Sequence, residues 1–422
     1  MTQLLERTST PTEGEGDGVD RHGLMRLGII VALLVALSLT LHIGGGVIVV
    51  VAILAMIMLH ELGHFMTARW ADMKVTDFFV GFGPVLWSVR RGETRYGVRA
   101  IPAGGYVRVI GMNNLEEVDP ADESRTYRAK TYWQRVRFAV AGSTMHFVIA
   151  FVLMLVFLAG FGIVKTTTTI DAVSKKAPVG IGLSPAYTAG IKAGDKVVAI
   201  NGRNVDNWEQ ARDIIHNSAG TQVAVTVMRA GERITTNVTP LSVNDENGKP
   251  VGVIGITAGE KAVRDLSPLV FWHAAVELKN ITVESTKGLV NLAKPDNVKH
   301  YGKQLTTTGP ADPEKDGNRL LSPVGLARIA NASAKSGAAS VLTLLIAINI
   351  FVALFNMLPL PPFDGGHVAV ATYEAIVGRI TGRRHMLDMN KMLPVAYVVV
   401  VALSLLSLSA LWLDIVHPFK LG

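Results

Sequence analysis

The stretch 47-VIVVVAILAMIMLHELGHFMT-67 decides how this chain is read. It is apolar through Leu59 and then closes on His60-Glu61-Leu62-Gly63-His64. A helix that crosses a bilayer needs roughly 20 apolar residues, and the run is long enough for that. Three ionisable side chains at the end of such a span are costly in hydrocarbon and point to function. On a helix, positions i and i+4 share a face, so His60 and His64 can both meet one ion with Glu61 beside them. Zinc suits imidazole nitrogen, and a catalytic site keeps three protein ligands and one exchangeable position. Glu61 then reads as the general base for water attacking a peptide carbonyl. The plainer alternative is a pair of interfacial histidines with Glu61 snorkelling at a helix end.

A second stretch, 356-NMLPLPPFDGGH-367, follows another apolar run directly. Pro359, Pro361 and Pro362 must break a helix at membrane depth, which is tolerated only where the freed backbone faces protein or a water-filled cavity. Asp364 is placed for a third zinc ligand to approach the two histidines from a different helix, and Gly365 and Gly366 leave room for close backbone approach. Taken alone the segment would pass for a Pro/Gly turn with a capping Asp. Beside the histidine pair it reads as the other half of a metal site.

The bulk composition agrees. Of 422 residues, 49% are hydrophobic and 18% charged, with mean hydropathy +0.34. There is no cysteine, so disulfides and thiolate zinc sites are excluded and His and carboxylates remain as metal ligands. The net charge of +7 is scattered beside apolar runs rather than gathered on one soluble face, so nucleic acid is not expected as a partner. Residues 1–21 are polar and lack periodicity, as in a disordered tail; no small-residue cleavage site follows to make them a signal peptide. Apolar sequence from 27 to 67 is read as two spans, 27–43 and 47–67, meeting at a tight turn over Gly44-Gly45-Gly46. One long kinked helix is the alternative. Further spans are expected at 138–164, 341–357 and 394–416. Arg21 and Arg26, then Arg69, Arg90, Arg91, Arg95, Arg135 and Arg137, then Arg379, Arg383, Arg384 and Lys391 flank the ends expected to be cytoplasmic. The 165–340 block then lies outside.

Within that block, Gly194-Asp195 marks a turn before a strand over 196–200, and Asn201-Gly202 is a strong hairpin turn. A helix near 207–217 and a strand with Val223, Val225 and Val227 follow. The pattern from Ala189 to Gly202 is that of a PDZ domain, either adding a peptide strand or acting as a steric gate. Residues 266–294 read as amphipathic helices with Trp272, Val276, Ile281 and Leu289 on apolar positions, and 295–320 as a loop. His216, His273, His300 and His385 have no ligand partners at useful spacing.

These residues together resemble the site-2 proteases, intramembrane zinc metalloproteases, from about residue 47 to the C-terminus. The match is closest to the bacterial subgroup with a single PDZ domain, and the apolar lead-in is similar to actinobacterial members. The resemblance implies Zn2+ held by His60, His64 and Asp364, Glu61 as catalytic base, and Asn356 positioning the substrate. Val80-Gly81-Phe82-Gly83-Pro84 and Tyr96–Tyr106 resemble the family's membrane-reentrant β-hairpin, whose open edge would pair with unwound substrate. Ala141-Gly142-Ser143-Thr144-Met145-His146 occupies the place of another family motif, but His146 stands where many members carry Asn, which leaves its role open.

The expected fold is therefore a polytopic α-helical membrane protein. It has a four-helix catalytic core, an extra N-terminal span, an inserted soluble α+β PDZ domain and a membrane-associated β-hairpin region. The expected divisions are a tail 1–21, N-terminal spans and β region 22–137, a span 138–164, a PDZ domain 165–265, amphipathic helices and loop 266–340, and C-terminal spans 341–422. The resemblance implies a multi-pass protein of the cell membrane with its PDZ domain extracytoplasmic and its active site near the cytoplasmic side. It would cut single-span membrane proteins, such as anti-sigma factors or remnant signal peptides, after an upstream site-1-type protease. The rival is a non-catalytic membrane scaffold carrying a PDZ domain.

Overall fold

The structure, a computed structural model, describes residues 25, 44–113, 115–177, 182–245, 248–305, 321–383, 386–387 and 392–416. The expected tail and the expected span 27–43 lie outside the described residues, as does His385. The chain forms two compact units, one of residues 1–157 with 271–422, the other Leu158–Val270.

In the first unit, α1 (Gly44–Trp70) carries the histidine pair. The glycines expected as a turn open this helix instead, because in an apolar setting the helix satisfies backbone groups that an open turn would leave bare. A hairpin follows, β1 (Val75–Arg91) and β2 (Thr94–Val109). Its register folds back on itself: residues from Val75 to Val80 pair with Gly105 to Val109, and residues from Val85 to Arg91 pair with Thr94 to Arg99. The fold-back needs Gly81, whose φ of +83° favours glycine and whose missing Cβ lets the Ile101 carbonyl approach. Helix α2 (Tyr132–Gly160) meets α1 where Gly63 faces the Ala141 carbonyl.

The span expected at 138–164 is corrected at both ends. The helix begins at Tyr132 and stops at Gly160, and Ile163 and Val164 already pair as strand with Val263 and Ala262. Gly162, at φ +80°, makes the turn, and a Cβ there would strike the Val263 carbonyl. β-branched residues after a glycine break favour the ladder over another helical turn.

The second unit holds a six-stranded sheet built on β3 (Ile163–Val173), β4 (Lys196–Ile200), β5 (Arg203–Asn204), β6 (Val223–Arg229), β7 (Glu232–Val238) and β10 (Ile256–Val263). The order is β10-β3-β4-β6-β7, with β5 paired to β4. A short α3 (Pro185–Thr188), a ribbon of β8 (Leu241–Asn244) with β9 (Pro250–Val253), and α4 (Trp208–His216) complete it. Asn207 caps α4 by accepting from Gln210 N–H, and Ala211 and Ile215 enter a core of Val197, Ile200, Val223 and Val225. Asn201 (φ 49°) and Gly202 (φ 76°) make the expected hairpin turn. Asp195, almost fully buried, accepts from Lys192 N–H at 2.8 Å and from Arg229 Nε and Nη2 at 2.7 Å each. The Arg229 guanidinium holds its carboxyl below the ordinary value despite burial, aided by the Lys192 N–H.

The chain then returns to the first unit with α5 (Val270–Leu292), α6 (Pro295–Gln304), α7 (Pro323–Ser336), α8 (Ala338–Asn356), α9 (Asp364–Thr381) and α10 (Leu393–Val416). Helix α6 overturns the expectation of a loop from 295. Pro295 sits in its first turn, where the missing N–H costs nothing, and Asp296 complements the helix dipole. Among the described residues, α1 from Val47, α2, α8 and α10 are long and apolar enough to cross a membrane. Val49, Met56, Ala330 and Leu345 bind α1, α7 and α8 into one core. Asp414, buried on α10, accepts from Ser322 N–H at 2.8 Å and so closes the N-terminus of α7.

Candidate metal centre

His60 and His64 lie one turn apart on α1, both buried, with ring centroids 4.8 Å apart and Nε2 atoms 3.1 Å apart. Helix α8 ends at Asn356, which is half-buried, and the proline-rich turn delivers Asp364 to the first turn of α9. Its Oδ2 stands 3.3 Å from His60 Nε2 and 3.4 Å from His64 Nε2. The close turn depends on Gly365, where a Cβ would strike the Met357 and Leu358 carbonyls. The approach anticipated from sequence is thus present.

The arrangement fits a divalent metal on its own chemistry. His64 Nδ1 is 2.8 Å from the Phe138 carbonyl, which can only accept, so Nδ1 carries the proton and Nε2 of the neutral ring presents a lone pair. That lone pair, a second imidazole nitrogen and a carboxylate oxygen converge, and Asp364 Oδ2 is buried without a hydrogen-bond partner. One proton would bridge a single pair of these donors; a cation satisfies all three. In a tetrahedral zinc site with bonds of about 2.0–2.1 Å, neighbouring donors stand about 3.4 Å apart. The observed edges of 3.1, 3.3 and 3.4 Å are those of one such face.

Glu61, half-buried, follows His60 on the helix and faces β2. A Cβ on Gly105 would come within 3.1 Å of Glu61 Cγ, so the strand backbone runs against this side chain, and the Val107 N–H reaches its carboxylate.

Several supporting residues are legible only in three dimensions. Gly142 on α2 faces the histidine pair: a Cβ there would collide with His60 and stand 2.5 Å from His64 Nε2. Gly63 on α1 faces the Ala141 carbonyl, where a Cβ would stand at 2.8 Å, so the two helices cross through paired glycines. His146, open from sequence, is buried with its ring centroid 5.0 Å from that of His60. Its Nδ1 donates to Asn349 Oδ1 at 2.8 Å, and Asn349 Nδ2 donates to the Leu345 carbonyl at 2.8 Å. Asn349 did have a sequence signal, a polar amide inside an apolar span. His60, His64 and Asp364 are the group among the described residues able to hold an ion.

The family model described as Peptidase family M50 matches residues 48–401. Zinc metalloprotease Rip1 of Mycobacterium tuberculosis (strain H37Rv) is 33% identical over 413 residues, covering 90% of this chain and 99% of the relative. Zinc metalloprotease Rip1 of Mycolicibacterium smegmatis is 31% identical, covering 89% and 98%. A solved PDZ domain from Listeria monocytogenes aligns with 22% of this chain and 90% of its own at 23% identity and a TM-score of 0.18.

Proposed function

We propose, from the premise that the chain belongs to peptidase family M50, the site-2 proteases, that it is a membrane-embedded zinc endopeptidase acting on membrane-spanning proteins. The observation that carries this is the convergence of His60 Nε2, His64 Nε2 and Asp364 Oδ2 within 3.4 Å of one another on apolar helices. These three residues would hold the zinc ion. When bound, zinc supplies Lewis acidity at the scissile carbonyl and makes water a better nucleophile at neutral pH.

The chain's own groups carry the rest. Glu61 accepts a proton as water oxygen bonds to the carbonyl carbon, then returns it to the departing amide nitrogen as the C–N bond breaks. Asn356, at the end of α8, holds the substrate carbonyl or its neighbour. A helical substrate must unwind first, because its carbonyls are otherwise bonded; the edge of the hairpin beside Glu61 offers backbone partners for the extended form.

In the finer reading, residues 165–265 form a PDZ domain on the extracytoplasmic side, and the metal lies toward the cytoplasmic side. The groove beside α4, lined by Trp208, Ile215 and Ile254, would take a peptide or screen bulky substrates. Substrates would be single-span regulators such as anti-sigma factors, or remnant signal peptides, first shortened by a site-1-type protease.

The test uses the purified full chain with zinc quantified, a reporter span as substrate, and Glu61→Gln as comparison. Wild type should cut the reporter, while Glu61→Gln keeps zinc and loses cleavage by a factor of about 10² or more. Equal cleavage by both, or none by the zinc-loaded wild type, would favour the scaffold.

A further inference from the structure

Away from His60, His64 and Asp364, α2 and α9 are joined by a buried ion pair. Arg135 Nη1 and Glu374 Oε2 are 2.6 Å apart, with side-chain exposures of 11% and 6%. The other carboxylate oxygen of Glu374 accepts from Leu387 N–H at 2.7 Å, so this acid is fully engaged. Beside the pair opens a cavity of about 580 Å³ whose lining includes Lys130, Tyr132, Arg135, Glu374, Arg379 and Arg383. Four cations thus face one carboxylate that is already committed to Arg135. Among the described residues Lys130 has only a distant ion-pair partner, Asp72 at 4.0 Å. Arg379 and Arg383 are exposed and have no ion-pair partner among the described residues. The cavity therefore offers unspent positive charge to an anion.

Its position says which anion. Tyr132 and Thr131 stand where a span-length apolar helix begins, the level of the bilayer headgroups. Trp133, 64% exposed, is the aromatic expected at that boundary. A cavity lined by cations at that level meets phospholipid headgroups first.

We propose that this cavity binds the phosphate headgroup of an anionic phospholipid, held by Arg379 and Arg383. Juxtamembrane cations attract anionic headgroups through their charge, and guanidinium groups match phosphate geometry. The ligand would brace the end of the helix that begins with Asp364.

The test takes the full-length protein in dodecyl maltoside micelles and adds dioleoylphosphatidylglycerol, dioleoylphosphatidylcholine or inorganic phosphate, with retention by native mass spectrometry and melting temperature as readouts. The phosphatidylglycerol should be retained and raise the melting temperature, the phosphatidylcholine should do neither, and millimolar phosphate should not displace the lipid. R379Q/R383Q should bind phosphatidylglycerol about tenfold more weakly. The charge-matched R203Q/R233Q, in the other unit, should bind as wild type does. If the double variant melts early without lipid, Arg383→Gln alone, in the exposed turn after α9, should still weaken binding about threefold. Equal retention of both lipids, wild-type binding by R379Q/R383Q and Arg383→Gln, or an equal loss in R203Q/R233Q would overturn the proposal. Displacement by phosphate alone would assign the cavity to soluble phosphate and overturn the lipid assignment.

Discussion

Gly142→Ala places a methyl group between α2 and the two imidazoles. The new Cβ would stand 2.5 Å from His64 Nε2 and 2.3 Å from His60 Cε1, against 3.4 Å for ordinary contact, so the rings must retreat by about 0.9 to 1.1 Å. The donor edges of 3.1–3.4 Å leave no such slack. His64 is tied to the Phe138 carbonyl at 2.8 Å, and moving it also breaks that bond. Misplacement of about 1 Å costs on the order of 10²-fold in rate, and disturbing the support of a metal ligand about 10–100-fold in affinity. Alanine is the better helix former by about 1 kcal/mol, so any loss comes from the site rather than the backbone. The assay is zinc retention against a graded chelator, followed by cleavage of a reporter span. Gly160→Ala, on the same helix with nothing within 4 Å of its Cβ position, is the control and should behave as wild type. A Gly142→Ala protein that held zinc and cut substrate normally would refute the packing that builds this centre.

Other perturbations probe the surroundings. Asn349→Leu leaves buried His146 Nδ1 without its acceptor and should lower stability by about 1–3 kcal/mol, whereas pairing it with His146→Phe should recover most of the loss; urea unfolding distinguishes the two. Arg135→Gln strands Glu374 and should cost about 3–5 kcal/mol, with R135Q/E374Q restoring a good part; a cost below about 1 kcal/mol would mean the pair is solvated. Asp195 has a folded-state pKa below its ordinary 3.8, so its stabilisation is present above that pH and drains away as pH falls through the depressed value. Acid titration of hydrogen exchange at Lys192 and its neighbours should show this loss, and Asp195→Asn should remove it.

Much of the fold could be read directly. Apolar runs of spanning length located α1, α8 and α10 closely, because hydrocarbon demands a continuous helix and a continuous helix demands a continuous pattern. The Asn201-Gly202 turn and the helix after Asn207 were equally local. Errors gathered at ends and breaks. The glycines at 44–46 resemble a turn and are helix, 295–304 resembles a loop and is helix, and Ile163 and Val164 resemble span and are strand. In each, a distant partner or the surrounding medium outweighed local preference.

The same division runs through the centre. The pairing of His60 with His64 follows from the helical repeat, and so does the place of Glu61 beside them; no tertiary information is needed for either. Whether Asp364 closes the triangle depends on a turn stripped of side chains at Gly365 and on two helices meeting at Gly63 and Gly142. The tautomer of His64 depends on a carbonyl of another helix, and the support behind His60 on the meeting of His146 with Asn349. Periodicity along one helix is written in neighbouring residues, but the distance between donors is set by how closely backbones approach. That approach is a property of packed surfaces, which exists only once the chain has folded.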